Sequence, residues 1–265
     1  MHTTLSSLFA RSCGAALLAC GLAAAAPAGA APAALKTLPD TLAQRVAACT
    51  ACHAANERGD AYFPRIAGKP AGYLYNQLRN FREGRRKYPM MTYMVDHLPD
   101  AYLREIAQYF SELHPPYPAP APNAATPAML ERGRVLVHQG DAASKVPACV
   151  ACHGAQLTGV EPAIPGLLGL PRDYVNAQFG AWRNKVRRAH APDCMAEITA
   201  RLSDADVAAV SGWLASQPAD AQARPAASIA MPLPLECGSA GVAQGSSGAP
   251  GSPGGPGAPA AEVRP

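Results

Sequence analysis

The chain has 265 residues, a formal net charge of +4 and an aromatic content of only 6%. That length suits about two domains, but so few aromatic side chains leave two apolar cores thin unless some other apolar mass fills them. The positive charge is local and comes with no nucleic-acid-binding motif, which argues against a nucleic-acid partner.

The first 30 residues read as an export signal. Arg11 supplies the positive start, Gly14 to Ala26 is a small apolar run, and Ala28-Gly29-Ala30 suits a signal peptidase. The run is too short to span a bilayer. Leu17-Leu18-Ala19-Cys20 is a loose lipobox that would make Cys20 a lipidated first residue and give peripheral membrane association. Leu18 is large for that position, so a simple signal ending near Ala30 is the preferred reading. Either route delivers the mature chain to the periplasm.

Asp40 can cap a helix that runs towards Cys49. Residues 49–53 then read Cys-Thr-Ala-Cys-His. Two thiols three residues apart on one helical turn can each add to a haem vinyl group, and the adjacent imidazole then faces the iron. Cys49 and Cys52 are the expected covalent anchors and His53 the first axial ligand. Pro64 follows eleven residues later. Proline fixes a rigid turn, and its carbonyl can accept a hydrogen bond from the ligating imidazole, orienting it and raising its basicity.

Tyr73, Leu74, Gln77, Leu78 and Phe81 follow helical spacing. Arg79, Arg82, Arg85, Arg86 and Lys87 face a single acid, Glu83. Cations suit a helix C-terminus, some could pair with haem propionates, and a basic surface beside a haem would also steer an acidic redox partner. Met90, Met91 and Met94 come next as candidates for the second axial position, where a thioether raises the potential. Asp100 opens a helix carrying Leu103, Ile106, Ala107 and Phe110, which Pro115 ends. Alternate prolines from Pro116 to Pro122 make 114–126 a semi-rigid linker that keeps two domains close without merging their cores.

Beyond the linker the chain repeats itself. Thr126-Pro127 opens a helix through Val137, and residues 149–153 read Cys-Val-Ala-Cys-His. Cys149 and Cys152 are the second pair of anchors, His153 the second axial histidine, and Pro165 the counterpart of Pro64. Gly68 pairs with Gly169, Tyr73 with Tyr174, Gln77 with Gln178 and Phe81 with Trp182. Asp173 is placed as the cap of the matching helix. A second basic run follows, with Arg183, Lys185, Arg187 and Arg188. Met195 precedes Leu202 by seven residues, as Met91 precedes Leu98. This register selects Met91 over Met94 and pairs it with Met195 as the two sulfur ligands; a lone methionine would otherwise read as core filler. Ser203 caps a last helix through Trp213, with Asp206 completing a capping box. Tyr109 and Trp213 are expected to pack on the first helix of their copies, near Gly133 in the second.

Eight cysteines are present. Cys13 and Cys20 fall in the signal and four belong to the pentapeptides, leaving Cys194 and Cys237. In an oxidising compartment these two can form a disulfide, with two free thiols as the alternative. From 218 the chain is an extension, and its Gly/Ser/Pro/Ala-rich composition predicts disorder after about residue 238. The expected organisation is an all-α pair of tandem cytochrome c-type haem domains, at 36–113 and 127–217, each a few helices around one covalent haem c.

The two C-x-x-C-H motifs, the Pro–Gly–Tyr–Gln block and each late methionine followed by Leu-x-Asp (Leu98-Pro99-Asp100 and Leu202-Ser203-Asp204) together resemble the dihaem cytochrome c4 family over residues 36–217. Phe63-Pro64-Arg65-Ile66-Ala67-Gly68-Lys69 is similar to that family's first domain. The resemblance implies two class I cytochrome c folds, His/Met ligation at both irons and periplasmic electron transport in a respiratory chain. A quinol–cytochrome c reductase is the expected donor and a terminal oxidase the expected acceptor. His190 and Cys194 are inserted near Met195, and the extension after Gln217 departs from the family pattern. Three other readings compete. A haem subunit of a dehydrogenase or respiratory complex would look much the same. A dihaem peroxidase would need an open iron and a base such as His190, which the matched methionines oppose. Zinc or thioredoxin-type roles for the Cys pairs lack the required spacing or strand–helix setting.

Overall fold

The computed structural model describes residues 41–53, 62–120, 122, 124–229 and 231–241. The expected export signal, Cys20, the Asp40 cap and the tail from 242 lie outside the described residues.

The chain begins with two short helices, α1 (Leu42–Arg45) and α2 (Ala47–Thr50). Thr41 caps α1, its Oγ1 accepting from Gln44 N at 3.2 Å. After the first proline loop come α3 (Ala71–Arg82), α4 (Pro89–Val95) and α5 (Asp100–Glu112). On α5 the buried residues are Leu103, Ile106, Ala107 and Phe110, one apolar stripe at helical spacing laid against α3. With Val46, Leu74, Tyr75, Phe81 and Val95 they make the first core. Leu103 is fully buried, a burial that stabilises by ~1.5–3 kcal/mol.

The second half repeats this plan with α6 (Pro127–Gln139), α7 (Val150–His153), α8 (Arg172–Arg183), α9 (Cys194–Arg201) and α10 (Asp204–Ser216). Thr126 Oγ1 caps α6 by accepting from Met129 N at 3.3 Å. Ser203 and Asp206 form a reciprocal capping box at the start of α10. Asp173 does not cap α8: Pro171 occupies the cap and Asp173 sits in the first turn, where its charge favours the helix dipole. Asp100 likewise lies inside α5, after Pro99. The strands β1 (Gly159–Val160) and β2 (Ile164–Pro165) form one short antiparallel hairpin.

Leu136, Val137, Tyr174, Val175, Val207, Val210 and Leu214 anchor the second core, which is separate from the first. The helices α6 and α10 cross at Gly133, where a Cβ would lie 2.6 Å from Trp213 Cβ. Glycine alone lets the two backbones approach this closely.

The linker is docked rather than free. Arg65 is buried, donates to Pro116 O at 3.0 Å and to Pro115 O, and stacks 4.5 Å above the Tyr117 ring. Gly68 and Gly169 both take positive φ, and the Tyr117 ring lies where a Gly169 Cβ would sit, at 2.6 Å.

Candidate metal centres

Each C-x-x-C-H pentapeptide is wound as a single turn. His53 N donates to Cys49 O at 2.8 Å and His153 N to Cys149 O at 2.9 Å. That turn brings both thiols and the imidazole to one side. The His53 Nδ1 lies 2.8 Å from Pro64 O, and His153 Nδ1 lies 2.7 Å from Pro165 O. A carbonyl oxygen can only accept, so each Nδ1 carries the proton and each Nε2 is left with its lone pair, the form that binds a metal. Burial lowers the pKa of His153, against an opposing pull from the Pro165 carbonyl, and so favours the neutral ring.

Burial also raises the thiols. Cys149 is pushed up to about 12, and Cys49 and Cys152 are raised in the same direction. Exchange-active dithiols depend on lowered pKa values, the opposite of the direction at Cys149 and Cys152.

Each histidine lines a crevice of its own, one in each half. Met91, on α4, lines the first crevice with Cys49, His53 and Pro64. Met195, at the start of α9, lines the second with Cys149, Cys152, His153 and Pro165. Met94 packs against the first core away from the crevice wall, and Met90 is 58% exposed. Phe81 lines the first crevice and Trp182 the second.

The crevices share a wall built from α3 and α8, and Lys69, Tyr73, Gln77, Tyr174, Gln178 and Arg187 face both. A near-twofold network crosses it. Arg86 donates to Gln77 Oε1 at 3.0 Å, Gln178 Oε1 at 2.9 Å and Tyr174 OH at 3.1 Å. Arg187 donates to Gln178 Oε1 at 2.7 Å, Gln77 Oε1 at 3.1 Å and Tyr73 OH at 3.3 Å. Backbone bonds pin the pair, Lys87 N to Val186 O at 2.9 Å and Arg188 N to Arg85 O at 2.8 Å. Lys69 is buried, and its Nζ donates to Gly166 O at 2.9 Å. Burial lowers its pKa to about 8.

Lys69 and Arg187 are buried and Arg86 half-buried, all three with neutral oxygens for hydrogen-bond partners here, and the buried Trp182 Nε1 has no acceptor. Uncompensated buried charge is costly. A flat apolar ring with acidic side arms fits this donor set: imidazole beneath, thioether in the same crevice, cations and an indole N–H at the rim.

The basic runs are mostly committed internally. Arg79 pairs with Glu83 at 2.8 Å, Arg82 bonds Asp100 and Leu98 O, and Arg183 bonds Asp204, Leu202 O and Thr199 O. Lys87, Lys185 and Arg188 remain exposed. The repeat spacing of Arg86 and Arg187, each nine residues after its glutamine, was the sequence signal for the shared wall. His190 does not line either crevice; it lies 3.4 Å from an Arg85 nitrogen.

Cys194 and Cys237 are joined as a disulfide. Beyond α10, residues 217–229 and 231–241 follow the second half. Ala226 N donates to Gly159 O at 2.9 Å, and Glu161 N donates to Ala226 O at 2.8 Å. Alternation of inward Leu233, Leu235 and Cys237 with outward Pro232, Pro234 and Glu236 was the overlooked sign that this stretch packs on something.

Residues 41–114 match the family model described as Cytochrome c. The chain is 39% identical over 175 residues to the "Thiosulfate dehydrogenase electron acceptor" of Thiomonas intermedia (strain K12), covering 65% of this chain and 79% of that protein. The crystal structure of reduced recombinant cytochrome c4 from Pseudomonas stutzeri superposes with a TM-score of 0.56 at 30% identity, covering 65% of this chain and 95% of that one. Thiosulfate dehydrogenase (TsdBA) from Marichromatium purpuratum superposes with a TM-score of 0.58 at 31% identity. The match takes in 64% of this chain but only 36% of that longer chain.

Proposed function

Because this chain belongs to the dihaem cytochrome c4 family and carries two covalently bound haem c groups, we propose that it is a periplasmic one-electron shuttle with His53/Met91 and His153/Met195 axial pairs. The observation that carries this reading is the matched pair of histidines, each in a Cys-x-x-Cys-His turn with its Nδ1 tied to a proline carbonyl. Haem iron, once held, supplies reversible one-electron chemistry. The residues do the rest. Cys49, Cys52, Cys149 and Cys152 tether; His53 and His153 donate through Nε2; Met91 and Met195 close the remaining positions and favour the reduced state. Arg86, Arg187 and Lys69 offset the acidic side arms at the shared wall. With both axial positions filled, no site is left for substrate, which fits electron transfer rather than catalysis. Export rests on the sequence of residues 1–30, and among the described residues no helix is long and apolar enough to cross a membrane.

For the donor, similarity to an electron acceptor of thiosulfate dehydrogenase favours a sulfur-compound-oxidising dehydrogenase over the quinol–cytochrome c reductase expected from sequence. A terminal oxidase remains the proposed acceptor. Exposed Lys87, Lys185 and Arg188 would steer an acidic partner surface.

A redox titration of the mature protein with visible spectra tests the ligation. Two haems per chain and a sulfur-to-iron charge-transfer band at both are expected; absence of that band refutes the methionine assignment. Stopped-flow reduction by a thiosulfate dehydrogenase and by a quinol–cytochrome c reductase, across ionic strength, tests the donor. Reduction by the latter alone refutes the dehydrogenase reading, and a rate indifferent to salt refutes steering.

A further inference from the structure

The two halves repeat one plan, but a single added segment treats their crevices differently. This segment, described at 218–229 and 231–241, leaves α10 and runs back along the second half. Thr158 Oγ1 donates to Arg224 O at 2.8 Å, and Ala226 bridges Val160. The segment then reaches the second crevice, which Leu233, Leu235 and Cys237 line together with His153 and Met195. No residue of the segment lines the first crevice.

Its end is fastened at four points. Gly238 N donates to Pro192 O at 2.9 Å, His190 N to Ser239 Oγ at 3.2 Å, and Asn76 Nδ2 to Ser239 O at 3.3 Å. The fourth is covalent, the disulfide from Cys237 to Cys194, next to Met195 in sequence. Nothing in the first half corresponds: Met91 follows Met90, and α4 carries no cysteine.

We propose that residues 218–241 act as a clamp specific to the second haem. Cys237 is a positioning residue that holds Met195 through Cys194, and Leu233 and Leu235 complete an apolar wall that keeps water from that iron. The inference rests on Met195 as a ligand. A fixed thioether and a drier site both favour the reduced iron, so the clamp holds the second haem at a higher potential than it would otherwise have. It also slows release of the sulfur to external ligands.

The test uses the mature dihaem protein and two variants, Cys194→Ser/Cys237→Ser and Leu233→Ser/Leu235→Ser, the latter with the disulfide intact. Met195→Ala assigns the second haem's step in a potentiometric titration. In both clamp variants that step should move to lower potential while the other stays. Carbon monoxide should bind one reduced haem roughly tenfold or more faster, the usual scale for loss of a ligand's outer support. If both steps and the carbon monoxide rate match wild type in both variants, or if the first haem's step moves instead, the clamp is wrong. A wild-type protein lacking the sulfur-to-iron band at the second haem overturns the ligation and the clamp together. That band present, with the second haem's potential and carbon monoxide rate indifferent to both variants, overturns the clamp alone.

Discussion

Gly133 and Gly180 both lie inside helices, α6 and α8, so helix propensity predicts the same gain on replacement by alanine, ~0.5–1 kcal/mol. Their surroundings differ. A Cβ at Gly180 meets nothing within 4 Å. A Cβ at Gly133 lies 2.6 Å from Trp213 Cβ, 2.8 Å from the Ala209 carbonyl carbon, and closer still to the Ala209 oxygen. Carbon atoms prefer roughly 3.5–4.0 Å, so α6 and α10 must separate by about 1 Å. The opposing atoms are backbone or Cβ and cannot rotate aside. The cost therefore falls towards the upper part of the ~1–3 kcal/mol usual for overpacking. After the propensity gain, Gly133→Ala should destabilise by ~1–2 kcal/mol and Gly180→Ala should stabilise by ~0.5–1 kcal/mol. At ~2–4 °C per kcal/mol for a chain of this size, the melting point should fall by about 2–8 °C in the first and rise by about 1–4 °C in the second. Thermal unfolding of the holoprotein, followed by helical circular dichroism, measures both. A Gly133→Ala protein as stable as wild type would refute the close crossing of α6 and α10.

The disulfide closes a loop spanning 43 residues, and chain entropy sets its contribution at about 4 kcal/mol at most; denaturant unfolding of Cys194→Ser/Cys237→Ser should show a loss within that limit. Ser203→Ala removes the capping box of α10 and should cost ~1 kcal/mol, read as a lower urea midpoint with unchanged slope. Hydrogen bonds from Arg82 and Tyr75 hold the Asp100 carboxyl below the usual carboxylate range, and Arg132 with the Ser144 N–H does the same for Asp141. Carboxyls lowered by folding contribute stability that is complete above their unfolded value of about 3.9 and is lost as pH falls through the lower folded value. An acid titration of unfolding should therefore show stability falling below about pH 4, and Arg82→Ala with Arg132→Ala should flatten that fall.

The Cys–Cys–His turn of each centre was legible because C-x-x-C-H is short-range: five adjacent residues wind on one helical turn. The helices on which Tyr73, Leu103 and Val207 lie were legible from spacing for the same local reason. The Cys194–Cys237 pairing could be named only as the remainder of a count. The roles of the arginines were not legible. Arg82 and Arg86 belong to one run in sequence, yet one pairs with Asp100 at the start of α5 and the other crosses to Gln178 and Tyr174. Side-chain destinations of that kind depend on tertiary placement. Asp173 was misplaced as a cap because Pro171 already terminates the preceding loop in extended backbone. The linker's prolines gave no sign that Arg65 would bond Pro116 or that Tyr117 would pack on Gly169.

The network joining Arg86 to Tyr174 and Arg187 to Tyr73 has a consequence for how such a molecule could arise. Each half contributes the same tyrosine–glutamine–arginine set, facing its opposite number about a near-dyad. A surface built that way is self-complementary. The tyrosine–glutamine–arginine part of the contact between the halves is thus one that two copies of a single half could make with each other.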